Sequence, residues 1–137
     1  MSTPLETMRT ELSHCIVDES NWKLSEAELF KVWKQLVWKP TRSYIRNWRR
    51  WALHWKGPYG EHVVGSAQRS NEYIAQYEVY DPRYNRTEPV RSGWSNSFLV
   101  ESTLALAKKQ AKGYFIRGVA VGHIKLDAID NPAPTEY

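Results

Sequence analysis

The chain has 137 residues, of which 42% are hydrophobic, and it contains seven tryptophans and eight tyrosines. A chain of this length and aromatic content can bury the core of one domain, which argues against wholesale disorder. Its one cysteine, Cys15, excludes an intramolecular disulfide and a CxxC zinc site. We therefore expect a single domain over residues 1–130 and a flexible tail over residues 131–137.

Membrane and export signals are missing from the sequence. No apolar run approaches the roughly 18 residues that a membrane span needs. Residues 1–20 are acidic and lack the apolar segment of a signal peptide. These observations predict a protein without a membrane partner, located in the cytoplasm, or in the host cytoplasm if the protein is viral.

The net charge of +4 is distributed unevenly along the chain. Residues 1–30 contain six acidic and two basic residues, whereas residues 31–60 contain eight basic residues and no acidic one. Residues 61–137 carry nine charges of each sign. A local positive field of this kind favours an anionic partner.

Two helices are predicted near the N-terminus from their capping residues. Residues 3–6, TPLE, place a capping threonine, a proline at the first helical position and a glutamate in a capping box. Residues 25–28, SEAE, form a second capping box ahead of an apolar stripe. Pro40 is expected to end this second helix, because proline lacks the amide donor and restricts the residue before it.

A third helix is predicted over residues 41–55. At 100° per residue, Tyr44, Trp48, Trp51 and Trp55 share one face. The opposite face is basic and consists of Arg42, Arg46, Arg49 and Arg50. Guanidinium groups on one helix face can contact phosphates along a nucleic-acid backbone or carboxylates on an acidic protein.

Residues 24–55 resemble a helix-turn-helix motif of DNA-binding proteins, with residues 41–48 in the place of the recognition helix. The sequence departs from that motif at Gln35, where a small residue is usual, and at residues 39–40, Lys-Pro, where glycine is usual. The resemblance implies a set of side chains in the major groove: Arg42, Ser43, Arg46 and Asn47.

The C-terminal half is predicted to be mixed. Strands are expected near 62–67, at 72–80, where polar and apolar residues alternate, and at 114–125, with a helix at 97–112. Three N-terminal helices followed by this small sheet and its helix give an α+β fold.

Residues 81–94 are predicted to form a long loop with a second concentration of residues typical of interfaces. These residues are Arg83, Arg86 and Arg91 with Tyr84 and Trp94. Internal ion pairs to Asp81 and Glu88 are an equally good explanation of this loop. Trp38 falls outside the apolar stripe of the second helix and is a candidate for stacking on a base.

Catalysis has little support in the sequence. Three histidines, His54, His62 and His123, could gather with acidic residues, but no HExxH, GxSxG or phosphate-binding glycine loop is present. We therefore predict a non-enzymatic protein without a metal or a cofactor.

The leading hypothesis is a small module that binds an anionic partner, foremost DNA or RNA. The alternatives are a protein-binding module or inhibitor, such as a viral or mobile-element accessory factor, that engages an acidic protein surface, and a structural assembly subunit. The sequence does not decide the oligomeric state. The predicted contact residues are Lys31, Lys34, Trp38, Lys39, Arg42, Arg46, Asn47, Arg49, Arg50, Arg83, Tyr84, Arg86, Arg91 and Trp94.

Overall fold

The computed structural model describes residues 3–13, 18–43, 47–69, 75–80, 99–101 and 103–129. Within these residues the chain forms three α-helices and one antiparallel sheet, so that the fold is α+β, as the sequence predicts. The helices are α1 (Pro4–Ser13), α2 (Glu26–Lys34) and α3 (Leu104–Ala120). The strands are β1 (Leu36–Thr41), β2 (Arg49–Gly57), β3 (Gly60–Arg69), β4 (Ala75–Val79) and β5 (Leu99–Glu101).

Both predicted caps begin their helices, and the cap of α2 is a complete capping box. The Ser25 hydroxyl accepts a hydrogen bond from the Glu28 amide, and the Glu28 carboxylate accepts one from the Ser25 amide. At α1, the Thr3 hydroxyl accepts a hydrogen bond from the Glu6 amide. Each cap satisfies amide groups that the first helical turn leaves without a partner in the helix.

The predicted third helix over residues 41–55 is wrong. Residues 36–41 and 49–57 are instead the antiparallel strands β1 and β2, so the second helix also ends earlier than Pro40, at Lys34. Pro40 is tolerated because β1 is at the edge of the sheet. Asn47, between the two strands, has a positive φ of 67°, a conformation that asparagine adopts more readily than most residues.

The side chains of β2 explain the error. Trp51 and Trp55 are four residues apart, which places them on one face of a helix and equally on one face of a strand. Leu53 distinguishes a strand from a helix, because it lies on the same face as the tryptophans in a strand but would lie on the arginine face of a helix. In the structure Leu53 and Trp55 are both fully buried in the core.

The prediction of a strand at 114–125 is also wrong, and the predicted helix at 97–112 is displaced. Helix α3 begins at Leu104, where Thr103 caps it, and continues to Ala120. Residues 99–101 form the short strand β5 instead. Position 118, within α3, requires glycine because the Ile124 side chain packs against it. A methyl group on Gly118 would lie 2.5 Å from Cδ1 of Ile124.

The sheet is a meander in the order β1-β2-β3-β4-β5. Strand β3 contains the predicted strand near 62–67, and β4 lies within the predicted strand at 72–80. Helix α3 packs on β3 and β4, and α1 and α2 pack on α3. The largest buried side chains of this core are Met8, Leu29, Leu53, Trp55, Val64, Phe115 and Ile116.

The other face of the central strands is buried but largely polar. Arg50 on β2 and Glu78 on β4 are only 6% exposed each, with Nη2 of Arg50 3.7 Å from Oε1 of Glu78. The Ser66 hydroxyl on β3 donates a hydrogen bond of 3.2 Å to the same carboxylate oxygen. Register places these residues on one face, since Arg50 is opposite Gln68 and Ser66 is opposite Glu78.

Candidate functional site

A cleft of about 530 Å³ lies between α1, α3 and the edge strand β1. Helix α1 contributes three neighbouring side chains to it, and α3 contributes three lysines from its N-terminal half. The lining consists of Thr7, Thr10, Glu11, Trp38, Ala105, Lys108, Lys109 and Lys112. The cleft therefore combines several cations with one indole ring, and we define it as the lysine–tryptophan cleft.

The helical repeat brings the lysines of α3 to the cleft. Lys108 and Lys112 are four residues apart and lie on the same side of the helix, with about 6 Å of rise between them. Lys109 is rotated by about 100° from Lys108 and borders the same cleft. Like charges at this spacing destabilise a helix slightly, so the arrangement is not explained by the stability of α3 alone.

Tryptophan rings hold two of the lysines in place. The Nζ atom of Lys108 lies 4.6 Å from the centre of the Trp51 ring and 5.6 Å from that of Trp38. The Nζ atom of Lys112 lies 4.0 Å from the centre of the Trp33 ring. These are cation–π distances, and they orient ammonium groups that would otherwise be free to rotate in solvent.

Glu11 is the one acidic residue among the described residues that line the cleft. Its carboxylate accepts a hydrogen bond of 2.5 Å from Nε1 of Trp33, the ring beneath Lys112. Burial lowers the pKa of Lys112, and the negative charge of Glu11 opposes that shift. Burial also lowers the pKa of Lys108. Both ammonium groups are therefore partly desolvated, and an incoming anion would favour their charged form.

The cleft lysines form no ion pair with the carboxylates that the structure describes. In the part of the chain that the structure describes, no carboxylate comes within 4.0 Å of the ammonium of Lys108, Lys109 or Lys112. The ion pairs formed there lie elsewhere and involve Arg9, Lys39, Arg50, His54 and Lys56. The cleft is accordingly a positively charged concavity with an aromatic wall.

Several of the contact residues predicted from the sequence have other roles. Arg50 is buried and paired with Glu78, so it is not available on the surface. Lys39 forms an ion pair of 3.1 Å with Glu61. Of the predicted residues within the described part of the chain, Trp38 alone lines the cleft, where it is half-buried.

The remaining predicted residues that the structure describes do not line the cleft. Arg42, Asn47 and Arg49 are exposed, but the arginine face that was to unite them does not exist without the helix. On α2, Lys31 is exposed, and Nζ of Lys34 lies 4.8 Å above the Phe30 ring. Outside the described residues are Arg46, Arg83, Tyr84, Arg86, Arg91, Trp94 and the tail at 131–137.

The sequence analysis missed the three lysines of the cleft, although a signal for them exists. Residues 102–126 contain five basic residues and no acidic one, which makes them a second acid-free basic stretch. The predicted end of the helix near residue 112 concealed this signal, since lysines in a last turn are explained by the helix dipole. In the structure α3 continues for two more turns beyond Lys112.

The three histidines considered in the sequence, His54, His62 and His123, have separate surroundings in the structure. His54 is buried on β2 with Nδ1 3.4 Å from Oε2 of Glu61, and His62 stacks on the Trp55 ring. His123 is exposed after α3. Over the residues that the structure describes, no three His, Cys, Asp or Glu side chains are grouped so that they could hold a metal ion.

Comparison of the chain with protein family models, with curated proteins and with solved structures gave no match. Among the described helices, none is long and apolar enough to cross a bilayer. The functional interpretation therefore depends on the geometry and charge of the cleft.

Proposed function

We propose that this protein is a small non-enzymatic module that binds nucleic acid through the lysine–tryptophan cleft. The observation that carries the proposal is the convergence of Lys108, Lys109 and Lys112 on one cleft, where none of them forms an ion pair with a described carboxylate. Compared with the sequence-based hypothesis, the partner is the same and the contact surface is new.

The chemistry of the cleft supports a nucleic acid more than an acidic protein. Ammonium groups bind phosphate as compact point charges, and the Trp38 indole offers a flat apolar surface beside them. A nucleotide presents this same combination of a phosphate and a flat aromatic base. An acidic protein surface supplies carboxylates, but its aromatic side chains do not accompany each charge as a base accompanies each phosphate in a nucleic acid.

The test is binding of a fluorescently labelled oligonucleotide, measured by anisotropy over a range of salt concentrations. Lys108→Gln/Lys112→Gln removes two cleft charges and keeps long side chains against the indoles. Its matched control is Lys23→Gln/Lys125→Gln, which removes the same charge from exposed positions that do not line the cleft. A third pair, Arg42→Gln/Arg49→Gln, tests the surface predicted from the sequence.

We expect the cleft pair to weaken binding at least tenfold near 100 mM salt and to reduce the slope of log K against log salt by about one unit per lysine. The two other pairs should have smaller effects. Equal losses in all three pairs would contradict a specific cleft site. Binding of polyglutamate as tight as that of the oligonucleotide at the same salt would favour an acidic protein partner instead.

A further inference from the structure

We infer that the nucleic acid taken by the lysine–tryptophan cleft is single-stranded, with a base against the Trp38 ring and neighbouring phosphates on the lysines of α3. This inference depends on the proposed function and narrows it to one class of nucleic acid. It follows from the shape of the cleft, the position of Trp38 and the contact between Trp38 and Lys108.

The shape of the site is that of an open cleft with an indole at its wall, against which an unpaired base can stack. The cleft is bounded by two helices, α1 and α3, and by Trp38 from the edge strand β1. In a duplex the phosphates lie outside and the bases are stacked within, so no base face reaches a side chain at the wall of a cleft. A single strand can turn a base toward that wall while its backbone follows the cations.

Trp38 is placed to be a stacking surface. It borders the cleft and remains half-buried, unlike Trp55 on β2, which is fully buried. On β1 it lies opposite Leu53 of β2, which is part of the core, so pairing within the sheet fixes the position of the backbone beneath the indole. A ring held in this way loses little conformational entropy when a base stacks on it.

Lys108 couples the two halves of the site. Its ammonium lies 5.6 Å from the centre of the Trp38 ring and 4.6 Å from that of Trp51. A base that stacks on Trp38 would replace one of these cation–π contacts, and Lys108 would then be directed to the adjacent phosphate. Binding of the base and binding of the phosphate are therefore linked through Lys108. A strand without bases would make the phosphate contacts but not the stacking contact.

The first experiment measures binding of the native chain to three probes at equal salt: an oligothymidine of about 12 nucleotides, an abasic strand of that length, and a hairpin duplex of that length. The chosen length lies within the site sizes of about 4–16 nucleotides of known single-strand binders. We expect oligothymidine to bind about tenfold or more tightly than either of the other two, since stacking of one base contributes about that factor. Equal binding of oligothymidine and duplex, or of oligothymidine and abasic strand, would overturn the inference and leave the proposed function standing. Absence of binding to all three probes would overturn the proposed function itself.

The second experiment locates the stacking surface. Trp38→Leu should reduce the affinity for oligothymidine about tenfold while leaving that for the abasic strand unchanged, and Trp38→Phe should retain most of the affinity. Thermal unfolding of each variant verifies that it is folded at the temperature of the assay. If Trp38→Leu lowers the affinity for both probes equally, or for neither, Trp38 does not stack on a base.

Discussion

The ammonium of Lys108 on α3 lies 4.6 Å from the centre of the Trp51 ring on β2. This contact joins a basic residue of the C-terminal helix to a tryptophan of the basic N-terminal stretch. Trp51 is half-buried, so it contributes to stability through packing as well as through the cation. The pair of Lys108 and Trp51 therefore contributes both to stability and to the proposed binding site.

Replacing Trp51 with leucine should affect stability and binding together. We expect Trp51→Leu to lower the free energy of unfolding by about 1–3 kcal/mol, because it removes part of a half-buried ring and the surface on which Lys108 lies. Urea denaturation measures this change. Trp51→Phe keeps an aromatic face and should lose less than Trp51→Leu; a larger loss for phenylalanine would show that the cation–π contact is not important.

Removing the acidic residue of the cleft should strengthen anion binding. In Glu11→Gln the amide oxygen can still accept the hydrogen bond from Trp33, while one negative charge disappears beside Lys112. We expect an affinity gain for oligothymidine of about two- to fivefold at low salt, which diminishes as salt is added. Glu19→Gln, at an exposed position outside the cleft, changes the net charge equally and serves as the control. An equal gain in both variants would assign the effect to net charge alone.

The buried pair of Arg50 and Glu78 should be important for folding and not for binding. Glu78→Gln removes the carboxylate charge that lies 3.7 Å from the Arg50 guanidinium at a site only 6% exposed, and we expect it to cost about 3–5 kcal/mol of unfolding free energy. Arg50→Met/Glu78→Met removes both charges and should cost less than Glu78→Gln. A double variant that is less stable than the single one would mean that the pair itself contributes strongly to stability.

Stability should decrease between pH 7.5 and pH 5.5 because of His54. Burial lowers its pKa, which the carboxylate of Glu61 partly opposes, so the folded protein takes up a proton less readily than the unfolded chain, whose histidine titrates near pH ~6.5. As the pH falls through this value, protonation favours the unfolded state. The pKa of Glu61 is itself lowered, chiefly by the hydrogen bond from Lys39, so its contribution is lost only below the range of this experiment.

The measurement is the free energy of unfolding in urea at several pH values in this range. His54→Gln should flatten the decrease, whereas His123→Gln, which removes an exposed imidazole, should leave it unchanged. A slope that is the same in the native protein and in His54→Gln would show that another group causes the pH dependence.

Features that depend only on neighbouring residues could be predicted from the sequence. The capping residues Thr3 and Ser25 begin their helices, because a side-chain oxygen satisfies amides only three residues away. The alternation that continues through residues 75–79 identifies β4, since a strand exposes its two faces with a period of two. The excess of basic residues in 31–60 is likewise a property of the sequence alone.

Features that depend on partners distant in sequence follow only from the tertiary structure. Trp51 and Trp55 fit a helix and a strand equally well, and β2 is a strand because β1 and β3 supply hydrogen-bonding partners on both sides. Tertiary contacts also determine which cations are available to a partner. Glu61 pairs with Lys39 across the sheet, and Glu78 pairs with Arg50. Helix α3, in contrast, places Lys108 and Lys112 in a cleft bordered by Trp38. Local spacing specifies neither kind of partner, because each is brought into contact only when the strands pair and the helices pack on them.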